Sequence, residues 1–128
     1  GPKLGIDGLR RRVGVHGRPL LATALKPRGS SPEQLAELAY QFALGGGDFV
    51  KDDHNLVDAD FHDFRRRVEL CQAAADRAAA ETGRPCMYAP NLSPSAFELP
   101  RYIEFLRECR IQAVLLAPML LGFDTVRQ

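Results

Sequence analysis

The stretch "GGGDFVKDDHNLVD", Gly45 to Asp58, runs from three glycines through a short apolar segment into a lysine, two aspartates and a histidine. This is the pattern of a buried strand whose carboxyl end opens onto ionisable groups. Side chains alternate along a strand, so Phe49, Lys51 and Asp53 share one face while Val50 and Asp52 share the other. Asp52, on the outward face, is expected to pair with a helix residue rather than with a ligand.

The flanking patterns place that strand. Before it, "SSPEQLAELAYQFALGGG" carries Leu35, Leu38, Ala39, Phe42 and Ala43 at i, i+3, i+4, i+7 and i+8, one apolar helical stripe. Ser31 as N-cap, Pro32 at the first helical position and Gln34 three after the cap form its start signal, and Gly45 its stop. Earlier still, "RPLLATALKP" (Arg18 to Pro27) reads as a strand stopped by proline. After the opening stretch, Phe61 to Thr82 reads as a long helix with Phe64, Val68, Cys71, Ala75 and Ala78 as its buried seam. "PCMYAPNL" then gives a third strand, Glu98 to Cys109 a helix, and "QAVLLAPMLLG" a fourth strand, apolar on both parities.

Alternating strands and helices with short connections imply parallel strands and right-handed crossovers. An open doubly wound sheet and part of a (β/α)8 TIM barrel both fit. No glycine-rich nucleotide fingerprint follows any strand. Polar residues crowd the carboxyl ends of the strands (Lys26; Lys51 to His54; Asn91), where barrel enzymes do their chemistry. A whole barrel needs ~250 residues, so residues 1–128 are expected to form about strands 1 to 4, a half-barrel whose fourth strand is an exposed apolar edge.

With 45% apolar and 26% charged residues, the composition is that of a globular domain. The net charge of +1 gives no nucleic-acid footprint, and acidic neighbours offset the two arginine triplets, Arg10 to Arg12 and Arg65 to Arg67. No apolar run reaches the ~18 residues of a membrane span, and the start shows no signal-peptide pattern. Cys71, Cys86 and Cys109 are widely spaced and read as reduced thiols of a cytoplasmic protein. His16 and His62 read as surface residues.

Neighbouring strands lie ~4.8 Å apart, which brings Lys26 close to Lys51 and Asp53. A lysine disfavoured as an ammonium can attack a carbonyl as a Schiff-base former. It can also take up carbon dioxide as a carbamate, which beside Asp53 makes a hard-cation site of the kind Mg2+ prefers. The plain alternative is a structural ion pair between Lys51 and one of its aspartates, with His54 a solvated loop residue.

The segments "GPKLGIDGLRRRVGVHGRPLLATALKP", "GGGDFVKDDHN" and "MYAPNLS" together resemble the large subunit of ribulose bisphosphate carboxylase (RuBisCO) and the RuBisCO-like proteins, in the same order and spacing. The resemblance implies a (β/α)8 barrel lacking here its amino-terminal domain and strands 5 to 8, and makes Gly1-Pro2 native. It implies that Lys51 is carbamylated by CO2, that Lys51, Asp53 and His54 form the metal set, and that Lys26 moves protons during enolisation. Arg28 and Asn91 become substrate contacts.

The departures from the family pattern count. His54 replaces a glutamate, which weakens the case for Mg2+ and leaves room for another divalent cation or none. Arg28 replaces a second lysine, the segment "KPRGSSP" is one residue shorter than in the carboxylases, and Ala24 replaces a threonine. Together these argue against carboxylation and for a RuBisCO-like isomerase, tautomerase or decarboxylating lyase acting on a phosphorylated keto-sugar or oxo-sugar acid. The full-length protein is expected to be a homodimer or larger homo-oligomer. Two other readings stand beside this one: a Schiff-base aldolase using Lys51, and a half-barrel that only associates. The isolated 128-residue chain is expected to have no turnover.

Overall fold

The computed structural model describes residues 4–127; Gly1-Pro2 lies outside them. Three parallel strands, β1 (Ala22–Leu25), β2 (Phe49–Asp52) and β3 (Met87–Ala89), form a sheet in the order β1-β2-β3. Helix α2 (Pro32–Leu44) joins the first two strands and α3 (Phe61–Thr82) the second and third. Each consecutive strand thus lies beside its predecessor, as in a barrel wall.

Both helices start and stop by local chemistry. Ser31 Oγ accepts from the Gln34 N–H while Gln34 Oε1 accepts from the Ser31 N–H, a complete capping box ahead of Pro32. Asp60 caps α3 by accepting from the Asp63 N–H at 2.9 Å, and Gly83, at φ 68°, ends it in the left-handed conformation. The two helices lie side by side. Arg66 pairs with Glu33, Tyr40 donates to Glu81, and Arg77 stacks 3.6 Å from the centre of the Tyr40 ring.

The core joins Leu25 and Val50 of the sheet to Leu35, Ala39 and Ala43 of α2 and to Phe64, Val68, Cys71, Ala75 and Ala78 of α3. The α3 seam is therefore the one its spacing predicts. From α2's stripe, Leu38 is exposed and Phe42 half-buried, because α2 presents a narrower face to the sheet. Helix α4 (Leu99–Glu108) closes the far side, with Tyr102 and Phe105 meeting Phe61 and Phe64 in an aromatic cluster. All three cysteines are free thiols, Cys71 and Cys86 buried, and burial pushes these two up to about 12 and about 11.

Two expectations need correction. Helix α1 (Gly5–Val13) precedes β1 and was not legible, since its two glycines and arginine triplet obscure a stripe of Leu9 and Val13. Arg10 of that triplet donates to the carbonyls of Val15 and Arg18 and so closes the turn beyond α1. The fourth strand is reduced to one parallel bridge, Asn91 to Leu115. Its apolar continuation instead forms the short helices α5 (Pro118–Leu121) and α6 (Phe123–Arg127). Pro118 suits a first helical position and removes a ladder donor. An apolar run on both parities is compatible with either structure.

The glycine triplet also has its explanation. Gly46 adopts φ 97°, and Gly47 is buried where a Cβ would overlap the Phe42 ring. Gly47→Ala should therefore destabilise the fold by about 1–3 kcal/mol through overpacking, seen as a lower urea midpoint. An unchanged midpoint would show that Phe42 swings away freely.

Candidate active site

The register of β1 against β2 builds the site. Ala24 lies opposite Lys51, so Lys26 and Asp53, each two residues further on, come level at the carboxyl ends of their strands. Lys26 Nζ lies 3.2 Å from Asp53 Oδ2. The Lys26 side chain is largely exposed, whereas Asp53 is buried.

Asp53 Oδ1 accepts both the backbone N–H and the side-chain N–H of Asn55, each at 2.9 Å. These bonds, followed by the Lys26 ammonium and the nearby His54, outweigh desolvation and hold the Asp53 carboxyl down at about 2. The group is an anion throughout the ordinary pH range.

His54 is exposed, its Nδ1 3.6 Å from Asp53 Oδ1. Asn55 Nδ2 lies 3.2 Å from His54 Nε2. Lys51 is half-buried, and its Nζ donates to the Asp52 carbonyl at 3.2 Å. Neither aspartate lies within ion-pair distance of that amine among the described residues. Arg28 is exposed in the turn after β1, on the rim of a cavity of about 390 Å3 that reaches Asn55 and Asp58.

Asp52 turns to the opposite side of β2, as its parity predicts. It is fully buried and accepts from Arg67 of α3, from the Tyr88 hydroxyl at 2.9 Å and from the Asn91 N–H at 2.8 Å. Burial pushes its carboxyl up, against these three donors. Burial also works against the Arg67 charge, but the bidentate Asp58 carboxylate, with Tyr88 and Asp52, more than offsets it and raises the guanidinium above its usual value. Asn91 is buried, with Nδ2 donating to the carbonyls of Leu56 and His54 at 3.0 and 3.3 Å and Oδ1 unpartnered.

Sequence reasoning missed Asn55, Asp58 and Arg67. Asp53-His54-Asn55 is an Asx-turn signal. An arginine beside Val68 within the seam of Phe64 and Cys71 signals a buried acid partner.

A hard cation fits this donor set. Asp53 is held ionised down to about pH 2, and one of its oxygens faces a solvent-exposed lysine, a contact readily exchanged. Lys51 as a carbamate would add anionic oxygens on the same face of the strand, and His54 would add a nitrogen. A separate group at the start of α3, Asp60, His62 and Asp63, has its polar atoms within 4.8 Å of one another. All three are exposed, and Asp60 there serves as the cap.

A parallel α/β wall with ionisable groups gathered at the carboxyl ends of its strands defines a barrel-type catalytic domain. The family profile "Ribulose bisphosphate carboxylase large chain, catalytic domain" matches residues 5–128, and the chain belongs to that family. A 5-methylthioribulose-1-phosphate isomerase from Rhodospirillum rubrum is 41% identical over 98% of this chain and 34% of its own length. The crystal structure of a Rubisco-like protein from Rhodopseudomonas palustris superposes with TM-score 0.92 at 42% identity, over 98% of this chain and 36% of that one. A dimeric archaeal Rubisco from Hyperthermus butylicus gives TM-score 0.89 at 30% identity, over 99% and 30%. The chain spans about a third of the length of its curated relatives, as a partial barrel should.

Two outcomes test this geometry. Arg67→Met leaves the Asp52 carboxylate buried and uncompensated, so it should cost about 3–5 kcal/mol in denaturant unfolding. Asp53 also links stability to pH. Its folded value, about 2, lies below the unfolded 3.8, so its contribution is full above the unfolded value and drains away as pH falls between the two. Asp53→Asn should flatten the stability curve in that window and leave its slope above pH 5 unchanged.

Proposed function

We propose that the protein carrying this chain is a RuBisCO-like enolising enzyme, an isomerase, tautomerase or lyase rather than a carboxylase. Its substrate class is a phosphorylated keto-sugar or oxo-sugar acid. The observation that carries this reading is the Lys26 amine 3.2 Å from the buried Asp53 carboxylate, across the carboxyl ends of adjacent parallel strands. Family membership and the similarity to a methylthioribulose-phosphate isomerase support it.

Lys51 takes up CO2 as its amine adds to the carbon and loses a proton to solvent. The carbamate, Asp53 and His54 would then hold Mg2+ or another divalent cation, which supplies charge stabilisation to a developing enediolate oxygen. A cation held by Asp53 would displace the Lys26 ammonium. Lys26, after releasing a proton to solvent, accepts as a neutral amine the proton from the carbon next to the substrate carbonyl and returns it to a neighbouring position. Arg28, exposed on the rim, faces anionic groups of the substrate. His54 and Arg28, where carboxylases carry glutamate and lysine, turn the site from carboxylation toward isomerisation or cleavage.

The working unit is the full-length protein as a homodimer or larger homo-oligomer, and residues 1–128 alone have no turnover. Its place is the cytoplasm; no helix among the described residues is long and apolar enough to cross a membrane.

The test is solvent-deuterium exchange into 5-methylthioribulose 1-phosphate and ribulose bisphosphate by the full-length protein, followed by proton NMR. Exchange should require a divalent cation and fall by at least about 100-fold in Lys26→Met, the loss of a general base. Undiminished exchange in that variant would sink the assignment. Borohydride trapping of substrate on Lys51 would point to Schiff-base chemistry instead.

A further inference from the structure

The segment after β2 is held at four alternate positions. Asp52 accepts from Arg67, Tyr88 and the Asn91 N–H. The carbonyls of His54 and Leu56 accept from the Asn91 side chain. Asp58 accepts two parallel bonds from the same Arg67, Nε to Oδ1 at 2.9 Å and Nη2 to Oδ2 at 2.6 Å. One guanidinium therefore grips both ends of the Asp52–Asp58 segment, while one amide grips its middle.

The Arg67 and Asp52 side chains are 3% and 0% exposed, so water cannot substitute for these bonds. Anchoring 52, 54, 56 and 58 fixes the backbone on both sides of Asp53, whose carboxylate meets Asn55 and Lys26. A bidentate guanidinium–carboxylate pair fixes direction as well as distance.

We infer that Asp58 and Arg67 are positioning residues for the ligand set, clamping the loop that carries Asp53 and His54. They act through the backbone between Asp52 and Asp58. That they orient metal ligands rests on the function proposed above. That they order the loop does not.

The experiment uses the full-length protein and its Asp58→Asn, Asp58→Glu and Asp53→Asn variants. Asp58 is the group to alter because it is the most exposed member of the clamp, at 16%, and Asn keeps its size. Two readouts are taken: amide hydrogen exchange, and Mn2+ affinity in bicarbonate by electron paramagnetic resonance. In Asp58→Asn, amides of residues 53–57 should exchange at least about tenfold faster while those of β1 and α2 stay within about twofold. Mn2+ affinity should fall by at least about tenfold, the usual scale for groups that orient ligands, and Asp58→Glu should recover most of it.

Unchanged exchange in 53–57 would overturn the clamp, and so would faster exchange across the whole domain, which marks a general structural role. A loosened loop with unaltered Mn2+ affinity would overturn the orienting role. If the parent binds Mn2+ no better than Asp53→Asn, the metal reading fails instead, and the exchange data still decide the clamp.

Discussion

A guanidinium buried between two carboxylates is the constraint on which this half-barrel wall depends. Arg67 lies inside the apolar seam of α3, where an unpaired charge would cost several kcal/mol. Its planar fork is satisfied by Asp58 along one edge and by Asp52 and Tyr88 at the other. Those partners come from β2, from the loop after it and from β3. The helix cannot slide along the sheet without stranding a charge, so its position, the strand ends and the loop are fixed together.

That constraint separates the two faces of one short strand. Behind β2, Asp52 is committed to the fold. In front, Lys51 and Asp53 remain for chemistry. Asp53 is built to stay ionised, with two Asn55 donors on one oxygen and a lysine on the other. The same contacts fix the direction of its carboxylate. Membership of the RuBisCO large-chain family gives this arrangement its context. His54 stands beside that carboxylate, exposed, with its Nδ1 3.6 Å from Asp53 Oδ1.

Much of this was legible in the chain because it is local. The boundaries of α2 and α3 follow from Ser31, Pro32, Gln34, Asp60 and Gly83, each acting within one helical turn. The outward turn of Asp52 follows from strand alternation. Other features were not legible. The first helix carries too few apolar residues for its period to stand out. The final apolar run reads equally as strand or helix, and only the limited pairing at Leu115 and the position of Pro118 decided between them.

By itself, then, the sequence determined the order of elements from β1 to α4, the capping of α2, the faces of β2 and the identity of the ionisable groups at its end. These depend on residues within a few positions of one another. The tertiary structure decided which distant partners those groups take: Lys26 for Asp53, Arg67 for both Asp52 and Asp58, and Asn91 for the loop carbonyls. Such pairings join residues nine to 37 positions apart. They depend on strand register and on the seating of a helix, and burial, which makes them strong, exists only once the core has closed.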